Sequence, residues 1–332
     1  MVLRSVLVII LIIIIAILGS MMYSNFQKFY QTISNTFNNE PINANVSVSQ
    51  TDIDSFIPNI TSGVPLLFEK LRFAEMPIKF YFDVDGASNI SWFGQNNIDN
   101  VLEAVKTWTD MTDGKVSFLR VFNNYDAKVF IDWTTNFDST PNFRTVGEAG
   151  PNLVLDTGLY NLTVNASMHM LPSGTRCVDI VVATHELGHV LGLDHTANPT
   201  DIMYPFYSCS QKVGQKEADY LKSIYSIESK PQLQIYNVST VVKQGFLDLM
   251  FSIRNVGLKG ASTTSIYVYE EDNIIYKINQ QYLEPGLNSS TWHLTNMKIS
   301  PNSKHFSIVA DPENKIDMWY RNISTVDFYI SK

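Results

Sequence analysis

The 332-residue sequence predicts an α+β domain followed by an all-β sandwich. Between residues 64 and 228, alternating strand-like segments are interleaved with apolar residues at helical spacing. From 231 to 332 only short strands separated by turns remain. A third observation sets the beginning of the chain apart: residues 6–18 are thirteen unbroken apolar residues.

That apolar run extends to Met22 with only Gly19 and Ser20 interrupting, which reaches the lower limit for a membrane span, about 17 residues. Arg4 and the amino terminus precede it and the next cation is Lys28, so the positive-inside bias places everything after residue 22 outside. A cleaved signal peptide needs small residues three and one before the cut. Gly19 is paired with Ile17, and Ser20 with Leu18. An uncleaved anchor over 1–22 is therefore expected, with secretion after cleavage as the alternative. Residues 23–63 are low in charge and rich in Asn, Ser, Thr and Gln, and read as a stalk, a short inhibitory pro-segment being the other reading.

In 64–228, residues 78–82 alternate as a strand that stops at Asp85-Gly86. Ile98, Val101, Leu102, Val105, Trp108 and Met111 share one helical face, and Gly114 marks the end of that helix. Segments 116–121 and 127–133 read as strands, as does the alternation of Leu162, Val164, Ala166, Met168 and Met170. Leu155-Asp156-Thr157-Gly158 has the form of an aspartic-peptidase signature, but that chemistry needs two carboxylates and the triplet occurs once. It reads as a turn between two strands. Helices follow at 181–191, with Val181, Val182, Leu187, Val190 and Leu191 as the buried side, and at 216–227, with Ala218, Leu221, Ile224 and Tyr225.

The first of these two helices carries His185-Glu186-Leu187-Gly188-His189, continued by Gly192 and His195. His185 and His189 lie four apart and share a face, so two imidazoles can hold one metal ion. Gly192 suits a sharp exit at positive φ, which brings His195 back as a third ligand. Three protein ligands leave one position open, the mark of a catalytic zinc. Glu186 falls beside the ion, placed to handle a proton. A buried helix with incidental histidines is the bland alternative, and it does not explain five fixed positions.

Eight residues past His195 stands Met203-Tyr204-Pro205-Phe206-Tyr207. This resembles the methionine turn of metzincin zinc peptidases, and with Thr196 after the third histidine it resembles the matrixin branch in particular. Pro205 sits where astacins place a tyrosine ligand. The resemblance covers about residues 77–228. It implies a twisted, mostly parallel sheet with long helices, one catalytic Zn2+ on His185, His189 and His195, and Glu186 as general base and then acid. It further implies Met203 as a floor under the metal, Pro205 and Tyr207 as walls of the substrate pocket, and a protein or peptide substrate bound as an added strand.

The chain departs from the family in three ways. Only His169 stands upstream of the zinc helix, so the second zinc of animal matrixins is not expected, and His169 reads as solvent-facing. The inhibitory propeptide cysteine is missing; Cys177 begins the zinc helix and cannot reach the metal. A disulfide from Cys177 to Cys209 is expected instead, with two free thiols as the alternative. Ca2+ accompanies many matrixins, but Asp83, Asp85, Asp126, Asp132 and Asp138 form no calcium loop and read as turn residues.

The tail reads as seven strands, at 233–238, 246–254, 265–270, 274–278, 290–294, 305–309 and 325–330, which suggests an immunoglobulin-like sandwich over 231–332. Phe251-Ser252-Ile253-Arg254-Asn255-Val256-Gly257, Leu283-Glu284-Pro285-Gly286 and Val309-Ala310-Asp311-Pro312-Glu313-Asn314 resemble the CARDB family of prokaryotic adhesion-related domains. Such modules space or bind, and an envelope protein or a glycan is the implied partner class. His293 and His305 read as plain strand residues. Residues 64–228 hold 20 acidic and 12 basic side chains, and 229–332 hold 9 and 10, with no basic patch in either, which argues against nucleic acid. The expectation is an outward-facing, membrane-anchored zinc endopeptidase. Its rival is a catalytically idle surface adhesion or binding protein on the same scaffold.

Overall fold

The computed structural model describes residues 63–330, apart from 91, 136 and 138–144. The expected anchor (1–22), the stalk (23–63, but for its last residue) and Asp138 lie outside the described residues. Among the described residues no helix is long and apolar enough to cross a membrane.

The first half is built on one mixed sheet. Strands β1 (Leu71–Phe73), β2 (Ile78–Asp83), β3 (Phe118–Arg120), β4 (Val129–Trp133) and β6 (Asn161–Met170) run parallel in the order β1-β6-β4-β2-β3. Strand β5 (Gly147–Asp156) pairs antiparallel with β6 along its whole length, from Gly147↔Met170 to Asp156↔Asn161. One side of β6 is thus taken by β5, and β1 and β4 share the other. That leaves β5 as an edge strand. Among the described residues three α-helices complete the domain: α1 (Gln95–Met111), α2 (Arg176–Val190) and α3 (Gln215–Tyr225).

The three helices expected within 64–228 are all present, shifted by one to five residues at their ends. Helix α1 begins where Asn97 Oδ1 accepts the Gly94 N–H at 2.9 Å, and it ends at Thr112, where Asp113 and Gly114 both turn to positive φ. Its apolar face lays Val101, Ala104 and Trp108 into the core, fully buried with Ile131 and Met168 of the sheet and Leu187 of α2. The Trp108 indole N–H donates to Thr184 O at 2.8 Å, so α1 holds α2 by both apolar contact and a buried hydrogen bond.

The second half is an antiparallel sandwich. β10-β9-β12-β13 (Asn273–Gln280, Thr264–Glu270, His305–Ala310, Thr325–Tyr329) faces β11-β8-β7 (Ser289–Lys298, Phe246–Asn255, Leu233–Lys243). Phe251, Phe306 and Phe328 are fully buried between the sheets. All seven expected strands form. Strand β7 runs five residues further than its alternation suggests, because its register shifts between Tyr236 and Ser239 where Asn237 takes φ 51°.

The two halves meet at the β5–β6 turn. Leu159, Tyr160 and Leu162 pack with Val256, Leu258 and Ile323 of the sandwich. Thr157 Oγ1 donates to Val256 O at 3.0 Å, and Trp319 Nε1 to Glu228 O at 3.0 Å. In the segment with the aspartic-peptidase look, Asp156 is the last residue of β5 and braces the turn that follows: its Oδ1 accepts the Gly158 N–H at 2.7 Å.

Candidate metal centre and cleft

Helix α2 places the first two histidines and its ending places the rest. The Leu193 N–H bonds Gly188 O and the Gly192 N–H bonds His189 O, each at 3.0 Å. These are the two bonds of a Schellman ending, with Gly192 at φ 95° as the left-handed residue. A Cβ there would also lie 2.7 Å from Leu71 Cδ2. The reversed chain then carries His195 back over the helix.

The three imidazoles converge. The Nε2 atoms of His185, His189 and His195 are 3.1, 3.2 and 3.2 Å apart. His185 Nδ1 donates to Ile202 O at 2.6 Å, and His189 Nδ1 donates to Leu193 O at 2.8 Å. A carbonyl can only accept, so those two rings carry their proton on Nδ1 and direct bare Nε2 lone pairs at one point. Neutral acceptors facing each other so closely call for a cation between them. Tetrahedral zinc ligands at roughly 2.0–2.1 Å are themselves roughly 3.3 Å apart, which fits this triangle. Among the described residues this is also the only group of three potential metal-binding side chains drawn together. Burial pushes His185 down to about 4, against the pull of the Ile202 carbonyl, and burial likewise lowers His189. Both rings are therefore neutral near pH 7, as metal ligation requires.

Glu186 lies beside the triangle, 5 % exposed. Burial pushes its carboxyl up to about 8, and the charge on Glu148 adds to the rise. Gly147 of β5 makes room for it, since a Cβ at 147 would overlap Glu186 Oε1. Met203 is fully buried and packs against α2 at Gly188, where a Cβ would overlap its sulfur. A cleft of about 830 Å³ opens over the group. Residues 145–149 form one wall, Tyr204, Pro205, Phe206 and Tyr207 the other, and Val181 and Val182 line it from α2.

Cys177 and Cys209 are joined as a disulfide across 32 residues of sequence, tying the start of α2 to the loop after the methionine turn. Replacing both by Ser is expected to lower the unfolding free energy by on the order of 3–4 kcal/mol in the chain-entropy treatment. The denaturant midpoint checks this. Sequence reasoning missed Gln211, which holds the same loop from inside. It is buried, and its amide bonds Phe206 O at 2.7 Å and the Ser208 N–H at 2.8 Å. A lone Gln in a Ser-rich loop gave no signal. His169 stands apart from the triangle, half-exposed, with Asp132 Oδ1 2.7 Å from its Nδ1. His305 faces Asp327 at 3.0 Å in the sandwich.

Residues 87–227 match the matrixin family model. Over that segment the chain is similar to matrixin domains. The matrixin match is supported by stromelysin-2 of Rattus norvegicus, 28% identical over 162 residues, and by human matrix metalloproteinase-26, 34% identical over 112. Those alignments take in 44% and 33% of this chain, and the chain spans only 32% and 42% of the length of those relatives. Of solved structures, the CARDB domain of a Pyrococcus furiosus protein matches 31% of this chain and 88% of its own length, at 16% identity and a TM-score of 0.28.

Proposed function

We propose that the chain is a zinc-dependent endopeptidase held outside the cell by residues 1–22. The observation that carries this reading is the convergence of three imidazole Nε2 atoms beside a buried carboxyl at the floor of an open cleft. His185, His189 and His195 hold the ion, and zinc supplies a Lewis acid at the cleft floor. Glu186 takes the proton of the attacking water and returns it to the leaving amine. The open edge of β5 offers free backbone groups to an extended substrate, which binds as an added strand. Val181, Val182, Pro205 and Tyr207 then receive the side chain just after the cut, favouring an apolar residue there. The sandwich serves as the binding or spacing module, toward an envelope protein or a glycan.

The test joins metal analysis with cleavage. The purified protein is assayed for zinc and incubated with a mixed peptide library beside Glu186→Gln protein. One zinc per chain, with cleavage confined to the unaltered protein, is expected. Zinc without any cleavage difference would move the reading to the idle surface binder, and folded protein that takes up no zinc would sink the metal centre itself.

A further inference from the structure

Beneath the metal centre lies a second acidic pair that the reaction does not use. Asp201 and Glu217 are 6 % and 7 % exposed. They meet across Gly214, where a Cβ would overlap Asp201 Oδ2 and Glu217 Oε2 alike. Asp201 Oδ1 accepts the Met203 N–H at 2.8 Å, and the Ile202 N–H is bonded to Lys212 O at 2.8 Å, so the turn is anchored at 201–203. The carbonyl of Ile202, next in the chain, orients His185. Neither carboxyl has an ion-pair partner among the described residues. Lys216, exposed on the first turn of α3, is the one cation felt at Glu217, and Lys212 reaches Asp201 only through its backbone.

Two buried carboxyl groups this close, with no cation between them, resist ionising together. We propose that Asp201 and Glu217 share one proton, and that this carboxyl–carboxylate bond is a positioning device clamping α3 to the methionine turn and thereby setting His185. Gly214 is then required at the crossing. Both groups are held above the ordinary carboxylate range. For Asp201 the cause is burial, opposed by the Met203 N–H; for Glu217 it is burial first, opposed by its own backbone N–H, with the charge of Asp201 adding to the rise and that of Lys216 reducing it. The native protein accordingly keeps a proton that the unfolded chain has released. Stability is full at low pH and falls as pH rises from the ordinary carboxylate range toward the raised value.

The experiment compares full-length protein with Glu217→Gln, whose amide imitates a permanently protonated partner. Infrared spectra are taken in a Glu186→Gln background, so that residue cannot contribute. A carboxylic C=O band at neutral pH that vanishes on Glu217→Gln is expected. As pH rises above the ordinary carboxylate range, the unfolding equilibrium should shift by up to about tenfold per pH unit relative to Glu217→Gln protein. Absence of the band, or parallel stability curves, overturns the shared proton. Should Glu217→Gln protein not fold, Asp201→Asn asks the same question, since its Oδ1 still accepts from Met203. Zinc retention against a chelator reads the positioning. Glu217→Gln is expected to hold zinc like the unaltered protein and Glu217→Ala to release it at least tenfold more readily, whereas equal retention in all three overturns the role. Only this last arm rests on the proposed metal centre: protein that binds no zinc counts against that centre, while the band and the stability slope still decide the shared proton.

Discussion

Glu186→Gln is expected to lower kcat by about 10²–10⁴-fold while leaving KM and zinc content near those of the unaltered protein. The glutamine fills the same volume beside Gly147, where β5 leaves room for this side chain and little more. It keeps one oxygen toward the cleft and removes only the ability to take and return a proton. The three imidazoles do not depend on it, because two of them are oriented by the carbonyls of Ile202 and Leu193. Without an ion, burial and the charge on Glu148 hold the Glu186 carboxyl near 8, where it is mostly protonated at neutral pH. A dication held by the three histidines would favour the carboxylate, the form that takes up a proton. Steady-state kinetics and metal analysis on the two proteins check the expectation. A kcat within a few-fold of normal would remove Glu186 from the proton path.

The residues that make this site were legible because their constraints are local. Two histidines one turn apart, a glycine at the helix end and a third histidine three residues on are fixed by helix geometry and by one Schellman motif, and both act over a dozen residues. The sandwich was legible for a similar reason, since strands such as β9 bury alternate residues over their whole length. Strands β1 and β5 were not. Leu71, Arg72 and Phe73 are all buried, so β1 is too short and too uniform to alternate; it is a strand only because β6 lies beside it. In β5, Gly147, Gly150 and Pro151 contradict strand propensity, and the register breaks between Pro151 and Val154. An edge strand tolerates such residues because one side of it bonds to nothing within the sheet. The open side that hides β5 from sequence reasoning is the side on which a substrate strand can add. Asp201 and Glu217 stayed hidden for another reason: sixteen residues separate them, and nothing local says that Gly214 lets them approach.

Trp108→Ala is expected to cost about 3–5 kcal/mol of folding stability, the largest loss from any single truncation in the first half. The indole is completely buried, its ring edge would meet a Cβ on Gly188 at 3.2 Å, and its N–H is bonded to Thr184 O. It therefore touches α2 at residues just before His185 and just before His189. Trp108→Phe keeps most of the apolar volume and loses the hydrogen bond, so it should cost only about 1–3 kcal/mol. Denaturant unfolding orders the three proteins. The same order is expected in zinc affinity, because a cavity under Gly188 frees α2 to tilt and the Nε2 triangle tolerates little displacement. Equal zinc affinity in all three, with stability falling as stated, would mean that the Schellman ending and the methionine turn hold the triangle without help from α1. The long first helix would then be a stability element alone, and the precision of the centre would reside wholly in the segment from Gly188 to Met203.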